Sequence, residues 1–319
     1  MDAARSSAHR QHTGSLAPHA SVRTLLERYH LQPRRDLGQH FLSDPNLLNK
    51  IVQAADLSPE TTVLEIGPGL GTLTRHLAQV AGRVIAVELD EAMCQVLRQE
   101  LAELSNVDVV PGDILKIDPA DLLTSSTGET RESTADASAY TVVANLPYYI
   151  TSAAIRHLLE AAPPPRRIVL TVQQEVAQRI VAGPGKMSLL AISVQFYGHP
   201  RIVARIPAGA FIPPPQVNSA VIRIDVYDTP PVEVPSTRAF FQVARAGFSQ
   251  KRKQLKNALS GGLGLPGDQA AVILNQAGID PQRRAQTLSL AEWAALTRTL
   301  YQSPFYQGLK AEPDERQSA

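Results

Sequence analysis

Cysteine is nearly absent: Cys94 is the single one among 319 residues. That excludes an internal disulfide and a cysteine-rich zinc site, and it fits a reducing compartment. No metal is expected. Long apolar runs are missing too. None approaches the roughly 18–20 residues that a membrane span needs, and the N-terminal stretch has no apolar signal-peptide core. A cytoplasmic protein with no membrane partner is expected. Nor does one sign of charge dominate. The 31 Lys+Arg and 30 Asp+Glu leave a net charge of +1, so any surface for nucleic acid must be local. What the chain does have is 44% hydrophobic residues. That is enough for a sizeable core, in one large domain plus a smaller one.

Residues 1 to 20 are small and polar without periodicity and read as a disordered tail. Val22, Leu25, Leu26 and Tyr29 then share a helical face. Ser43-Asp44-Pro45 reads as a helix start, with a capping residue before a proline. From Val63 onward, short apolar runs alternate with helix-period segments. Strands are expected at Val63–Ile66, Val84–Val87, Val107–Val110, Tyr140–Ala144 and Ile168–Val172. Repeated strand–helix units predict an α/β fold with a doubly wound, mostly parallel sheet. Residues 124–139 are nearly all small or polar and read as a surface insertion. Leu189–Tyr197 and Arg201–Ile206 read as strands, and the alternating Val221–Val226 suits an outer strand. The character changes near residue 230. Three helical patterns are expected from Ser236 to about 308, the first carrying Arg245, Lys251, Arg252, Lys253 and Lys256. Residues 309–319 read as a polar tail.

The central stretch is VLEIGPGLGTLT, residues 63–74. An apolar run ends at Gly67, Gly69 and Gly71, and a helix pattern follows. A glycine turn between strand and helix lets backbone approach a ligand closely, because no Cβ intervenes. In open α/β sheets, ligands bind at the carboxyl ends of the strands, where this loop lies. The spacing is GxGxG with Glu65 on the strand side. A GxGxxG dinucleotide fingerprint would need a glycine at position 72, which is threonine. The loop is closer to one that holds S-adenosylmethionine (SAM). Glu88 follows the second strand about 20 positions past the first glycine, a placement suited to both hydroxyls of a ribose. Asp113 follows the third strand, where it either accepts from an adenine amine or caps a turn.

Asn145-Leu146-Pro147-Tyr148 ends the fourth strand of the unit. An exocyclic base amine is a poor nucleophile because its lone pair is delocalised into the ring. The Asn145 side-chain oxygen and the Leu146 carbonyl are placed to accept its two hydrogens. Pro147 fixes the direction of that carbonyl, and Tyr148 offers a ring face to a flipped base. Such a site works by orientation and dipoles, and no strong base is needed. Elsewhere, Arg34 and Arg35 beside a glycine and an aromatic suggest a loop that meets an anion, although a solvated basic turn is the simpler reading.

At this point the chain resembles the SAM-dependent ribosomal RNA adenine N6,N6-dimethyltransferases, and most closely their small-ribosomal-subunit (KsgA-type) branch. The matching stretches are LGQHFL (37–42), LEIGPGLGTLT (64–74), VELD (87–90), GDIL (112–115), NLPYYITS (145–152), FIPPPQVNSAVI (211–222) and FSQKRKQLKNAL (248–259). The resemblance runs from about residue 35 to about 305 and implies a Rossmann-like SAM-binding domain (21–230) and a helical RNA-binding domain (231–308). It implies His40 and Leu42 at the methionine end of SAM, with Gly67 and Gly69 in the loop against it and Glu65 in support. Glu88 is expected on the ribose and Asp113 on the cofactor adenine. Asn145 is expected between cofactor and target base, and Tyr148 and Phe211 on the two faces of that base. The family motif commonly reads GQNFL, and His40 stands in place of the asparagine.

The implied substrate is a pair of adjacent adenosines in a hairpin near the 3′ end of 16S rRNA in the small ribosomal subunit, each methylated twice. Arg34, Arg35, Arg245, Lys251, Arg252, Lys253 and Lys256 are then expected on RNA phosphates. A monomer is expected. Alternatives are a 23S rRNA or DNA adenine methyltransferase, a non-catalytic assembly factor that keeps the SAM fold, and a nicotinamide-dependent oxidoreductase. The last is disfavoured by the glycine spacing.

Overall fold

The computed structural model describes residues 20–34, 36–124 and 140–304. The expected tails up to residue 19 and from 309, Arg35, and the insertion from 125 to 139 lie outside those residues. Helix α1 (Val22–Arg28), the short strand β1 (Phe41–Leu42) and helix α2 (Pro45–Ala55) come first. An alternation follows: β2 (Thr62–Ile66), α3 (Thr72–Ala78), β3 (Arg83–Glu88), α4 (Glu91–Glu100), β4 (Val107–Pro111), α5 (Pro119–Thr124), β5 (Tyr140–Asn145), α6 (Thr151–Leu159), β6 (Arg167–Gln173) and α7 (Gln174–Ile180). Then come α8 (Leu189–Tyr197), β7 (Gly198–Ile206), β8 (Phe211–Ile212) and β9 (Ser219–Val226). The chain continues as α9 (Thr237–Phe248), α10 (Leu255–Leu263), α11 (Gly267–Gln276) and α12 (Leu290–Gln302).

Seven strands form one sheet in the order β4-β3-β2-β5-β6-β9-β7. The first five are parallel, and β9 alone runs against its neighbours. Strands β2, β3, β5 and β6 are buried on both faces, which is why they read as continuous apolar runs rather than as alternation. The strand order reverses between β2 and β5. In an open α/β sheet that point leaves a crevice at the carboxyl ends of the strands. Local chemistry sets the flanking elements. Asp44 caps α2 by accepting from the Asn46 N–H at 2.8 Å, a contact worth about 1 kcal/mol, and Pro45 opens the helix as expected.

Three expectations are corrected. Leu189–Tyr197 is a helix, not a strand. Ser188 caps it, and its apolar residues serve two cores: Ile192 and Phe196 join the C-terminal helices, while Val194 joins the sheet. A short helix whose apolar residues are shared between two cores shows no single amphipathic face, so its sequence cannot be told from a buried strand. Strand β9 is interior, between β6 and β7, and β7 is the edge. Finally, four α-helices rather than three follow Ser236 among the described residues. The break at Ser249–Gln254 puts Lys251, Arg252 and Lys253 in an exposed turn between α9 and α10, not on a helix.

Candidate active site

The tips of β2, β3, β4 and β5 converge on a cleft of about 230 Å³. Glu65, Gly67 and Gly69 line it from the β2 side, Glu88 from β3, Asp113 from beyond β4, and Asn145 and Pro147 from β5. The 37–42 segment closes another wall with His40 and Leu42. Residues far apart in sequence and expected to bind one cofactor therefore share one cavity. No helix among the described residues is long and apolar enough to cross a membrane, and no His/Cys/Asp/Glu group among them is suited to a metal ion.

The glycine loop is shaped by close approach. Gly69 has φ +58°, and a Cβ there would sit 2.8 Å from the Phe41 ring, so another residue would strain the backbone and displace that ring. Its N–H donates to Glu88 Oε2 at 3.0 Å, and the Asp90 N–H donates to Glu88 Oε1 at 3.0 Å. Each Glu88 oxygen accepts one backbone bond and keeps a further lone pair for a ligand. Burial raises the Glu88 pKa above the usual carboxylate range. Glu65 is 1% exposed, and burial pushes its carboxyl up to about 8, with Glu88 nearby adding to the effect. Glu65 Oε2 has no hydrogen-bond partner among the described residues. Asp113 lines the cleft, and its Oδ1 caps a turn by accepting from the Leu115 N–H at 3.0 Å.

Asn145 Nδ2 donates to the main-chain oxygen of His40 at 2.9 Å. A carbonyl only accepts, so the amide nitrogen is committed and Oδ1 is the atom left to accept from a substrate. His40 Nδ1 lies 2.7 Å from the Pro213 carbonyl, which makes Nδ1 the donor and leaves Nε2 as an acceptor in the neutral ring. The β1–β8 pairing, Phe41 with Ile212 and Leu42 with Phe211, fixes the 37–42 segment against the proline loop.

The aromatic rings are arranged less simply. Tyr148 bonds Ser219 Oγ through its hydroxyl at 2.7 Å, and its ring stacks on His40 with centroids 6.1 Å apart. Phe211 is 2% exposed and packs in the core beneath the sheet. Neither lines the cleft. Tyr149 does, and it is 63% exposed.

Sequence reasoning also passed over Gln39 and Asp90. Gln39 Nε2 donates to Asp90 Oδ2 at 3.0 Å, and Gln39 Oε1 accepts from the Arg34 N–H at 2.9 Å. The available signal was that both lie inside the quoted motifs LGQHFL and VELD. Among the expected RNA ligands, Arg34 is held by Asp36 at 2.7 Å. Arg245 lies on α9 beside a second cleft, and Lys256 lies on the first turn of α10.

The family model described as ribosomal RNA adenine dimethylase matches residues 30–300. The chain belongs to this family. It is 45% identical over 292 residues to a ribosomal RNA small subunit methyltransferase A of Dehalococcoides mccartyi, covering 92% of this chain and 97% of that protein. It is 43% identical over 290 residues to the protein of the same name from Moorella thermoacetica, covering 90% and 99%. Among solved structures, the 23S rRNA methyltransferase ErmE is similar with a TM-score of 0.63 and 26% identity, covering 82% of this chain and all of that one. A dimethyladenosine transferase from Plasmodium falciparum shares the fold with a TM-score of 0.66 at 24% identity, covering 81% and 96%. The dimethylase family thus accounts for the sheet and for the helices that follow it.

Proposed function

We propose that this protein transfers methyl groups from SAM to N6 of two adjacent adenosines in a hairpin near the 3′ end of 16S rRNA, within the small ribosomal subunit of the cytoplasm. The observation that carries the reading is the Asn145–His40 bond, which leaves Asn145 Oδ1 as the acceptor in a cleft shared with Glu88 and the glycine loop.

The cleft fits the cofactor. Gly69 leaves backbone bare where a Cβ would press on the Phe41 ring, and Glu65 presents a buried oxygen without a partner among the described residues. Gly67, Gly69, Glu88, Asp113, His40 and Leu42 are the residues that would hold it. When bound, SAM supplies a methyl group already activated on a sulfonium. The protein's part is to hold the amine in line. Asn145 Oδ1 and the Leu146 carbonyl take its hydrogens, Pro147 fixes that carbonyl, and the surrounding dipoles favour the charge that develops on nitrogen. Tyr148 and Phe211 do not line the cleft, and the exposed ring of Tyr149 is the one there that can stack on the target base. The helical region from about 231 to 308, with its exposed 251–253 turn, supplies phosphate contacts.

Methyl transfer from labelled SAM to undermethylated small subunits, run beside large subunits and duplex DNA, tests this. Label in dimethyladenosine of the small-subunit RNA alone supports it. The likeness to ErmE gives the large-subunit arm a specific purpose, and label confined there would overturn the substrate assignment. Bound SAM with no transfer to any of the three would reject the enzyme reading.

A further inference from the structure

We propose that a second cleft, walled by α6, α7, α8 and α9, holds one nucleotide of the RNA strand close to the nucleotide being methylated. The proposal rests on the reading that RNA is the substrate. The cleft measures about 430 Å³. Tyr197 and Phe241 form an aromatic floor, their rings stacked with centroids 5.8 Å apart at 23°. Arg156, Arg179 and Arg245 stand around it. Glu160, the one acid lining the cleft, is bonded to Arg156 at 3.1 Å. Glu160 also acts on Arg245 as a nearby opposite charge, so three guanidinium groups share one acid in the cleft lining.

Cations crowded over an apolar floor raise one another's energy. Partial desolvation of this otherwise exposed side chain, and then Arg156 as a neighbouring cation, lower the Arg245 pKa against the opposing effect of Glu160. An anion entering between them relieves that repulsion. Planar guanidinium groups match a phosphate, whose oxygens accept paired N–H bonds. Aromatic and aliphatic side chains beneath match a base face, which stacks whatever its identity. A ligand with one phosphate and one flat ring is a nucleotide.

The position relative to the first cleft favours a nucleotide from the substrate strand. Tyr149 at the mouth of the first cleft is followed by Ser152, Ala153, Arg156 and Glu160, all lining the second. Ser152, Ala153 and Arg156 lie on α6, which follows directly on the short 3-10 turn Tyr148–Ile150 that carries Tyr149, and Glu160 caps its end. Ser152 to Arg156 is about 6 Å along α6 at helical rise. A strand whose target base enters the first cleft therefore runs along α6 directly to the second.

The test uses the full-length protein and undermethylated small subunits. Both Arg179 and Arg245 are exposed, so the Arg179→Gln, Arg245→Gln double variant should fold, as its melting temperature will verify. KM for subunits is expected to rise about tenfold, with kcat within about twofold and SAM affinity unchanged. The salt dependence of subunit binding should become shallower by about 0.7 in log–log slope for each lost contact. Substrates with an abasic site at each neighbouring position identify the nucleotide. One such site should raise KM for the parent and add nothing further in the double variant. An unchanged KM in the variant, or strictly additive losses at every abasic site, overturns the second cleft while leaving the methyltransferase reading intact. Absence of methyl transfer by the parent overturns both. Tight binding of free adenosine monophosphate without RNA, lost in the double variant, would assign the cleft to a free nucleotide and overturn the strand reading.

Discussion

The side chain of Asn145 and the backbone of His40 are joined by one hydrogen bond of 2.9 Å, across 105 residues of sequence. It links the end of β5 to the wall formed by residues 37–42, and it decides which Asn145 atom meets the substrate.

Asn145→Ala removes both the acceptor and the link. Turnover is expected to fall by about 10²–10³-fold, the scale seen when one preorganised transition-state contact is lost. SAM affinity should change little. Asn145→Asp is expected to be as damaging, since a carboxylate cannot donate to the His40 oxygen. Single-turnover methyl transfer alongside SAM titration measures both. Full turnover in either variant would remove Asn145 from its role.

Glu88 serves the cleft in two ways, as a ligand for ribose hydroxyls and as the acceptor for the Gly69 and Asp90 N–H groups. Glu88→Gln replaces one acceptor oxygen by a donor that faces a backbone N–H. SAM affinity is expected to drop about tenfold or more, with a lower melting temperature even without cofactor. Calorimetric titration and thermal unfolding together check this. A variant weakened in neither would contradict the assignment.

Glu65 gives a pH signature. Its folded pKa of about 8 lies above the ordinary carboxylate value of 4.5, so between those values the folded chain holds a proton that the unfolded chain has lost. Stability from this group is therefore full below about pH 4.5 and declines as pH rises toward 8. Glu65→Gln lacks that decline. Parent and variant compared by denaturant unfolding at pH 5 and pH 8 should diverge in favour of the variant at the higher pH. Parallel pH profiles would show that Glu65 is ionised throughout.

Tyr149 is the exposed ring at the mouth of the active-site cleft. Tyr149→Ala is expected to raise KM for small subunits by about five- to tenfold, consistent with loss of one base-stacking contact. Tyr149→Phe should behave like the parent, because the ring face and not the hydroxyl is used. Steady-state kinetics against subunit concentration distinguishes the two. Equal losses in both variants would assign the effect to the hydroxyl instead.

Much of the site was legible in the chain because its parts are local. A glycine turn that ends an apolar run, an acid at the tip of the next strand and Asn-Leu-Pro-Tyr at the tip of another each declare themselves within a few residues, and the parallel α/β pattern places all strand tips at one end. The strands β2, β3, β5 and β6 were readable for the same reason. What could not be read depends on partners distant in sequence. Leu189–Tyr197 is helical although its apolar residues are shared between two cores, and a short segment so shared shows no single amphipathic face to reveal that. Strand β9 is interior because β7 pairs outside it, and alternation in one strand does not disclose its neighbours. The basic 251–253 turn was hidden because nothing in FSQKRKQLKN marks where one helix stops.

The sequence by itself determined the fold class, the cofactor loop and the residues at the strand tips, since these follow from periodicity and from glycine, acid and amide chemistry over short spans. Only the tertiary structure decided which atom of Asn145 is free, that Gln39 fastens to Asp90, and that Arg156, Arg179 and Arg245 surround one aromatic floor. Those relations are set by packing between separate elements, and the directions in which side chains then point are not written in any single stretch of chain.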